Sequence, residues 1–386
     1  MPMLGELLYK ISKHWKQLLV LLIIVVSFII LFLPSREYRV LLSSTPRFAQ
    51  VALGECGGTV YGVYSIPGGK TYVFELSRGF FDVQRLRMYF GEKPVPRVVL
   101  PRDLRYLGLV CWKDHPLLFY QDSTDYWYRL RAYDLSTGEE YTVDDAGVGT
   151  GRDEYPLVWN GEIHVFYFVD EGKQLKEAYG PGFPLKTRQI GSGIGRYISA
   201  KLCGGKIYLL AGRYPDYRAF LLPVDGNPID MNVSIGGRGE VLCDEGITAF
   251  FLSPEQRSVV MYKDGKLTPI LPGEVASPVR VLSTGGEYLL AYHRYMKGLY
   301  FCKSKNLVDW KCEHLDSDTF AGRRLDAVLW LGTPVILYST TSAVKLYYVV
   351  SPPRILLLSA IYLMAILAVL VAMIPRILRN CHRRKK

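Results

Sequence analysis

The sequence has little of what metal, nucleotide or acyl-transfer chemistry requires. Six histidines occur in 386 residues, and the four between residues 35 and 352 share no spacing that would hold a metal ion. No phosphate-binding loop, nucleophile elbow or H-E-x-x-H phrase occurs. The sequence therefore predicts no metal and no cofactor, and its paired glycines are interpreted as hairpin turns.

Charge is absent from two long apolar stretches, one near each end of the chain. Residues 18–33 read LLVLLIIVVSFIILFL, and residues 355–374 are also uncharged. Such runs expose too much apolar surface for water and are long enough to cross a bilayer. A cleavable signal peptide is the alternative for the first stretch, but no small-x-small cleavage pattern follows it. We predict transmembrane helices over residues 18–34 and 353–375.

The positive charge of the chain is concentrated beside these two stretches. Of the formal net charge of +11, residues 1–17 contribute +2 and residues 375–386 contribute +6. Basic flanks favour the cytoplasmic side, so a cell-membrane protein with two spans is expected, with an amphipathic segment (1–17) and a basic tail (376–386) in the cytoplasm. Residues 35–352 are then extracytoplasmic. The predicted partners are membrane lipid and a membrane protein, and no nucleic acid.

Cysteine usage fits an extracytoplasmic domain that permits disulfides. Cys381 lies in the basic tail, and an even number lies in the central domain: Cys56, Cys111, Cys203, Cys243, Cys302 and Cys312. Cys302 and Cys312 bracket a hairpin and are the predicted disulfide. Cys203 and Cys243 are expected to be buried thiols, because neighbouring sheets pack about 10 Å apart. The alternative is that all six are thiols.

A hairpin pattern repeats through the central domain. Each copy has an apolar strand, a short turn with Gly or Asp, and a second strand rich in aliphatic residues and tyrosine. The residues before the turns are 40 to 55 positions apart, the length of one four-stranded propeller blade. We predict an all-β fold, a seven-bladed β-propeller flanked by two transmembrane helices, with six blades or a β-sandwich as alternatives. Residues 76–89 and 127–142 are expected to add strands. The copies begin at Val51, Leu107, Pro156, Ser199, Gly239, Arg280 and Ala327.

One repeat resembles a blade of known propeller enzymes. In residues 277–315, Ser304, Leu307 and Trp310 match a phrase similar to S-x-D-L-x-x-W, with Asn306 in place of the aspartate. The chain thus resembles the propeller glycosidases of the arabinanase and β-fructosidase type, and more distantly the Asp-box of sialidases. The resemblance implies that the phrase stabilises a blade turn, so it supports the fold more than an activity.

Four acidic residues are candidates for glycoside hydrolysis, which needs two facing carboxyl groups. Asp153 and Glu154 lie at one blade entrance, and Glu240 and Asp326 lie near corresponding points of other repeats. The alternative is that each is a solvated loop acid or a turn former.

Separately, Asn232 begins the glycosylation sequon Asn-Val-Ser.

An arginine precedes the turn of every hairpin copy. If each begins the innermost strand of its blade, the guanidinium groups would surround one mouth of the central channel and favour a carboxylate, sulfate or phosphate ligand. The alternatives are chance and structural pairing with nearby acids. The residues are Arg47, Arg105, Arg152, Arg196, Arg238, Arg280 and Arg323.

These patterns leave three classes of function open. The preferred one is a membrane-anchored propeller that binds a glycan, an anionic ligand or a partner protein without turnover. A propeller glycoside hydrolase and a structural subunit of a membrane or cell-surface complex are the alternatives. An enzyme should bring two carboxyl groups together in a concave mouth, whereas a binding protein should have arginines and aromatic side chains there.

Overall fold

A computed structural model describes Val25 and residues 33–352, apart from residues 46–47, 80–81, 124–127, 146, 245 and 274–276. Apart from Val25, Leu33 and Pro34, both predicted membrane segments lie outside the described residues, as do the amphipathic segment, the basic tail and Arg47. Among the residues that the structure describes, no helix has the length and apolar character needed to cross a membrane.

Nearly all described secondary structure is β. The first strand, β1, is Arg36–Ser44. Blade 1 consists of β2 (Gln50–Cys56), β3 (Thr59–Ser65), β4 (Thr71–Leu76) and β5 (Arg97–Leu100). Blade 2 consists of β6 (Arg105–Trp112), β7 (His115–Asp122), β8 (Arg129–Asp134) and β9 (Glu140–Asp144). Blade 3 consists of β10 (Arg152–Trp159), β11 (Glu162–Val169), β12 (Gln174–Gly180) and β13 (Lys186–Ser192).

The second half of the chain repeats the same unit. Blade 4 consists of β14 (Ile194–Cys203), β15 (Lys206–Arg213), β16 (Arg218–Pro223) and β17 (Ile229–Ser234). Blade 5 consists of β18 (Glu240–Leu242), β19 (Thr248–Ser253), β20 (Ser258–Lys263) and β21 (Lys266–Pro272). Blade 6 consists of β22 (Val279–Ser283), β23 (Tyr288–Arg294), β24 (Gly298–Ser304) and β25 (Lys311–Asp316). Blade 7 contains β26 (Leu325–Trp330), β27 (Thr333–Ser339) and β28 (Ala343–Val350).

The seven sheets form a seven-bladed β-propeller. Each sheet has four strands, and the first strands of neighbouring blades contact one another in the closed order β2, β6, β10, β14, β18, β22, β26 and β2. These strands are therefore the innermost ones. Every hairpin copy supplies the two inner strands of one blade, so the seven-blade prediction is confirmed, and the six-blade and β-sandwich alternatives are wrong.

Blade 7 is completed by the first strand of the chain. Its strand order is β1-β28-β27-β26, so β1 is the outermost strand of a sheet whose other strands come from the far end of the propeller. Val40 is buried at 3% exposure, and the rings of Tyr38 and Tyr348 stack at 5.2 Å. Pairing of the two ends closes the ring and covers the outer edge of β28.

Apolar faces of adjacent sheets pack to form the core. Between blades 2 and 3, Phe119 and Leu117 belong to one buried cluster with Ile163 and Val165. Both faces of these second strands are covered, so β7 and β11 are buried along almost their whole length, and their central residues are apolar or aromatic. The core is therefore a series of layers between blades.

Polar groups also join neighbouring blades. Asp316, at the end of β25, accepts hydrogen bonds from the Tyr338 hydroxyl at 2.9 Å and from Lys345 Nζ at 2.8 Å, both in blade 7. Burial, and then the carboxylate of Asp316, raise the pKa of Tyr338, which stays a protonated donor. The same arrangement links blades 2 and 3 through Asp144, Tyr167 and Lys176.

Three disulfides are present among the described residues, and one of them corrects the sequence prediction. Cys302 and Cys312 are joined, as expected for facing positions of one hairpin. Cys203 and Cys243 are also joined and are not thiols, and their Cα atoms are 5.4 Å apart. The spacing of about 10 Å describes stacked sheets, whereas innermost strands converge at the axis of a propeller. The third disulfide, Cys56–Cys111, likewise links the innermost strands of two adjacent blades.

Two glycines, in blades 1 and 2, also show how closely the innermost strands approach one another. A Cβ atom on Gly54 would lie 2.7 Å from the Cβ of Leu109, and one on Gly108 would lie 2.4 Å from Cδ of Pro156. Side chains at these two positions would separate neighbouring blades.

The glycosidase-like phrase of blade 6 forms a closed turn. Asn306 Oδ1 accepts hydrogen bonds from the backbone N–H groups of Val308 at 3.1 Å and Asp309 at 2.9 Å. Its Nδ2 donates to Asp309 Oδ2 at 2.9 Å, and the indole of Trp310 donates to the Leu307 carbonyl at 3.0 Å. These contacts give the phrase the turn-stabilising role that the resemblance implies.

A second compact unit contains the residues that flank the predicted membrane segments. It comprises residues 1–37, 78–92 and 349–386, of which Val25 and residues 33–37, 78–79, 82–92 and 349–352 are described. Its helix, α1 (Val83–Tyr89), lies in the stretch expected to be a continuous strand over residues 76–89. That expectation is wrong, because the sequence VQRLRMY lacks the alternation of a half-buried strand.

Candidate functional site

One mouth of the central channel has six arginines among its eighteen lining residues. Its cavity of about 410 Å³, called here the arginine cavity, receives the first residues of the innermost strands. Five of the seven predicted arginines line it, together with Arg324, which was not predicted. Arg105 lines an adjoining pocket of about 300 Å³ with Arg324, Tyr106 and Gln50. The five predicted members are Arg152, Arg196, Arg238, Arg280 and Arg323.

Backbone bulges place consecutive side chains at this mouth. Successive side chains of a regular strand point to opposite faces, yet Arg152 and Asp153 both line the arginine cavity, as do Arg196 and Tyr197. The residues after the arginines of blades 2, 3 and 4 are in the left-handed region, with φ of 47° at Tyr106, 55° at Asp153 and 57° at Tyr197. The strand register shifts at each of these points. Such backbone is uncommon for residues other than glycine and concentrates at functional sites.

Several arginines are held by carboxylates. Arg196 Nε donates to Asp153 Oδ2 at 2.7 Å, and both side chains are almost fully buried. Arg280 Nη1 donates to Glu240 Oε2 at 3.0 Å, while its Nε lies 2.9 Å from Asp326 Oδ1. Burial opposes the charge of Arg280, but Asp326 and Glu240 outweigh it and raise the pKa of this guanidinium. The structural pairing considered from the sequence is therefore observed at Arg196 and Arg280.

Arg152 is also held by an acid, since its Nη1 donates to Asp170 Oδ2 at 2.9 Å. Arg105, Arg323 and Arg324 have no carboxylate partner among the described residues. Arg323 and Arg324 line the arginine cavity, and no described acid lies within ion-pair distance of either. The guanidinium of Arg323 instead lies 5.2 Å from the ring centroid of Phe320 and 5.9 Å from that of Phe48. Arg105 is exposed and lies 5.9 Å from the ring of Tyr128. These cations keep hydrogen-bond donors for a ligand.

The four candidate acids do not form a free catalytic pair. Asp153, Glu240 and Asp326 are each bound to an arginine. Asp326 also accepts a hydrogen bond from the Leu53 backbone N–H at 2.9 Å. Glu154 is fully buried, and burial raises the pKa of its carboxyl group well above the usual value. Glu240 and Asp326 nevertheless both contact the guanidinium group of Arg280.

A second cavity lies toward the hairpin-turn ends of the innermost strands. It has a volume of about 620 Å³, and its lining includes Glu55, Lys201 and Asp244. Arg238 and Arg280 line both cavities, so they lie between the two halves of the channel. Arg238 Nη2 also donates to the backbone carbonyl of Glu154 at 2.9 Å, which fixes the guanidinium at this position.

The remaining predicted site residue lies away from the channel mouth. Asn232 is an exposed residue of β17, the outermost strand of blade 4, and its side-chain oxygen accepts a hydrogen bond from Arg218. Its glycosylation stays a prediction. Sequence reasoning missed Tyr106, Tyr197 and Arg324. The signal for the tyrosines was present, because two of the repeated arginines are followed directly by tyrosine, in RYLGL and RYISA.

Comparisons with known proteins support the fold. No family model and no curated protein matches the chain. Trypanosoma rangeli sialidase is similar with a TM-score of 0.50 and 10% identity over 82% of this chain, which spans 60% of the sialidase chain. YCF48, solved bound to D1 peptide, is similar with a TM-score of 0.52 and 10% identity, covering 83% of this chain and 96% of that one. At such identity the likeness concerns the fold alone, and it confirms the expected partial resemblance to sialidase-type and other propellers.

Proposed function

We propose that this chain is a membrane-anchored extracytoplasmic propeller that binds an anionic glycan in the arginine cavity without turnover. The observation that supports it is the charge of the lining, which includes six arginines and one aspartate. Arg323 and Arg324 lack acidic partners among the described residues. A carboxylate or sulfate would accept paired hydrogen bonds from such guanidinium groups.

The shape and the aromatic residues of the cavity favour a sugar as the carrier of that charge. A volume of about 410 Å³ falls within the range of small-ligand sites. Tyr106 and Tyr197 provide ring surface beside the arginines, and a tyrosine side chain combines an apolar face with a hydroxyl group. One or two acidic sugar residues would fill this space.

The state of the acids argues against turnover. A glycosidase needs one carboxyl group as proton donor and another as base or nucleophile. Three of the candidates neutralise arginines. These carboxylates stabilise the cavity and are poorly placed to exchange protons with a ligand.

Anchoring and location are supported by the sequence and by the cysteines. The two uncharged stretches and their basic flanks predict two spans with a domain outside the cytoplasm. The three disulfides fit that placement, because such bonds persist in oxidising compartments.

The experiment is a binding titration of the full chain in nanodiscs with matched oligosaccharides that are neutral, carboxylated or sulfated. We expect binding of an acidic member only, and a loss of about tenfold or more in affinity for Arg323→Ala and for Arg324→Ala. Arg257→Ala is the matched control, since Arg257 is an exposed arginine in the β19–β20 turn outside the cavity lining. Equal binding of neutral and acidic sugars, or equal losses in all three variants, would refute the proposal.

A glycoside hydrolase is the second candidate, favoured by the convergence of Glu240 and Asp326 on Arg280. Product analysis of the same titrations separates the two functions. Release of reducing sugar that is abolished by Glu240→Gln or Asp326→Asn would establish the hydrolase. Binding without product supports the non-catalytic function.

A further inference from the structure

Blade 1 contains an insertion that the other complete blades lack. The connection between its third and fourth strands runs over residues 77–96, twenty residues, whereas the corresponding connections of blades 2 to 6 have two to six. The insertion contains α1, whereas the described parts of the blades otherwise consist of strands, turns and one three-residue 3-10 helix. A helix at this one place calls for a local explanation, because the blade itself does not require it.

The end of α1 contacts the last residue of the first predicted span and the segment that follows it. The Tyr89 hydroxyl donates a hydrogen bond to the Pro34 carbonyl at 3.0 Å. Arg36 Nη1 donates to the Tyr89 carbonyl at 3.2 Å, and its guanidinium lies 4.6 Å from the centroid of the Tyr89 ring. Pro34 is the residue immediately after the apolar stretch 18–33.

The middle of the same helix contacts the segment that precedes the second predicted span. Arg85 Nη2 donates to the Ser351 carbonyl at 3.1 Å and also to the Ser351 hydroxyl. Ser351 lies four residues before the apolar stretch 355–374. One helix of seven residues therefore binds both segments that lead to the predicted spans.

The exposed surface of this segment has the composition of a membrane interface. Phe90 is 64% exposed and Val83 is 39% exposed, although Met88 and Tyr89 beside them are buried. Arg87 is exposed between these apolar residues, and its only described ion pair is a long, exposed contact of 3.9 Å with Glu92. Aromatic and basic side chains together are typical of elements at the level of lipid headgroups.

We propose that α1 and Phe90 form a membrane-contact surface that lies in the headgroup region of the bilayer. The inference rests on the membrane anchoring proposed above. If residues 18–34 and 353–375 span the membrane, Pro34 and Ser351 lie at its outer boundary, and a helix hydrogen-bonded to both is at the same depth. Phe90 and Val83 then transfer from water into the interface, and Arg87 can exchange its exposed contact with Glu92 for lipid phosphate groups.

Fluorescence labelling of the full chain in phospholipid vesicles tests this surface. A nitrobenzoxadiazole label is attached at Phe90→Cys or, as the control, at Val308→Cys, in a chain in which Cys381→Ser leaves the three disulfides as the remaining cysteines. Val308 matches Phe90 in exposure, at 62%, and lies in the turn of blade 6. Lipids with nitroxide near the headgroup serve as the quencher, and alkaline carbonate extraction reports anchoring.

We expect the label at position 90 to show a blue-shifted emission and to lose fluorescence to the nitroxide lipids, while the label at position 308 shows neither change. If both labels remain in water and the chain resists carbonate, the anchoring stands and the contact surface is refuted. If carbonate removes the chain from the vesicles, the anchoring fails and the contact surface fails with it.

Discussion

Glu154 is fully buried, and neither oxygen of its carboxyl group has a hydrogen-bond partner among the described residues. Burial raises its pKa well above 4.5, and Arg238 opposes the rise only in part. The folded protein therefore keeps a proton that the unfolded chain loses near pH 4.5. This contribution to stability is complete below that pH and is lost as the pH rises toward the folded-state pKa.

Glu154→Gln tests this pH dependence, because glutamine keeps the shape and cannot ionise. We expect the variant to gain stability relative to the wild type as the pH rises from 5 to 8. The measurement is the difference between the two urea midpoints at each pH, which cancels the titration of other groups. A difference that is constant across this range would show that Glu154 does not keep its proton on folding.

Arg280 compensates two carboxylates at once, which makes it the most sensitive arginine of the channel. Arg280→Met keeps most of the side-chain volume but leaves Glu240 and Asp326 without their cation. We expect the free energy of unfolding to fall by about 3 to 5 kcal/mol. Urea unfolding measures the loss, and adding Glu240→Gln and Asp326→Asn should restore most of it. A loss below about 1 kcal/mol would show that the ion pairs of Arg280 are as weak as pairs on an exposed surface.

At the mouth of the channel, the sequence predicts where the arginines lie but not which groups their side chains contact. The regular spacing of the arginines was enough to place five of them around one cavity. The spacing alone could not show that Arg196 neutralises Asp153 whereas Arg323 faces aromatic rings. That difference arises from local bulges with left-handed residues such as Tyr197, and such backbone has no reliable signature outside glycine.

Asn306 explains at the level of one turn why this chain departs from the glycosidase phrase. An aspartate would keep the two backbone hydrogen bonds but would place a second carboxylate against Asp309, to which Asn306 Nδ2 now donates. We expect Asn306→Ala to cost about 1 to 2 kcal/mol through loss of both backbone acceptor bonds. Asn306→Asp should lose stability at neutral pH and regain it when Asp309→Asn is added. Thermal unfolding of the three variants measures this, and an additive effect of the two changes would contradict the argument.

Elements with a repeated pattern were predicted well, and single elements were not. Seven hairpins share a period, so each copy supports the interpretation of the others. Helix α1 occurs once and interrupts blade 1, and its sequence was taken for part of a strand. The disulfide between Cys203 and Cys243 was missed for a different reason, because it depends on the convergence of innermost strands, a property of the assembled ring.

The ring as a whole is closed by one strand whose partner lies about 300 residues away, a pairing that no local pattern reveals. Strand β1 contributes Val40 to the buried face of blade 7, whereas its neighbour Leu41 is 57% exposed. The first and last parts of the propeller are thereby held in one sheet. Closure should make unfolding of the blades cooperative, since opening of blade 7 exposes the flanks of blades 1 and 6.

Val40→Ser and Leu41→Ser test closure with the same polar residue on opposite faces of β1. We expect Val40→Ser to lower the free energy of unfolding by about 2 kcal/mol through lost burial, and Leu41→Ser to change it by less than about 0.5 kcal/mol. Because β1 closes the ring, the loss at Val40 should shift a single transition of the whole propeller, observed equally by tryptophan fluorescence and circular dichroism. A separate early transition in Val40→Ser would instead show that β1 detaches while the other six blades remain folded, and that closure does not control the stability of the molecule.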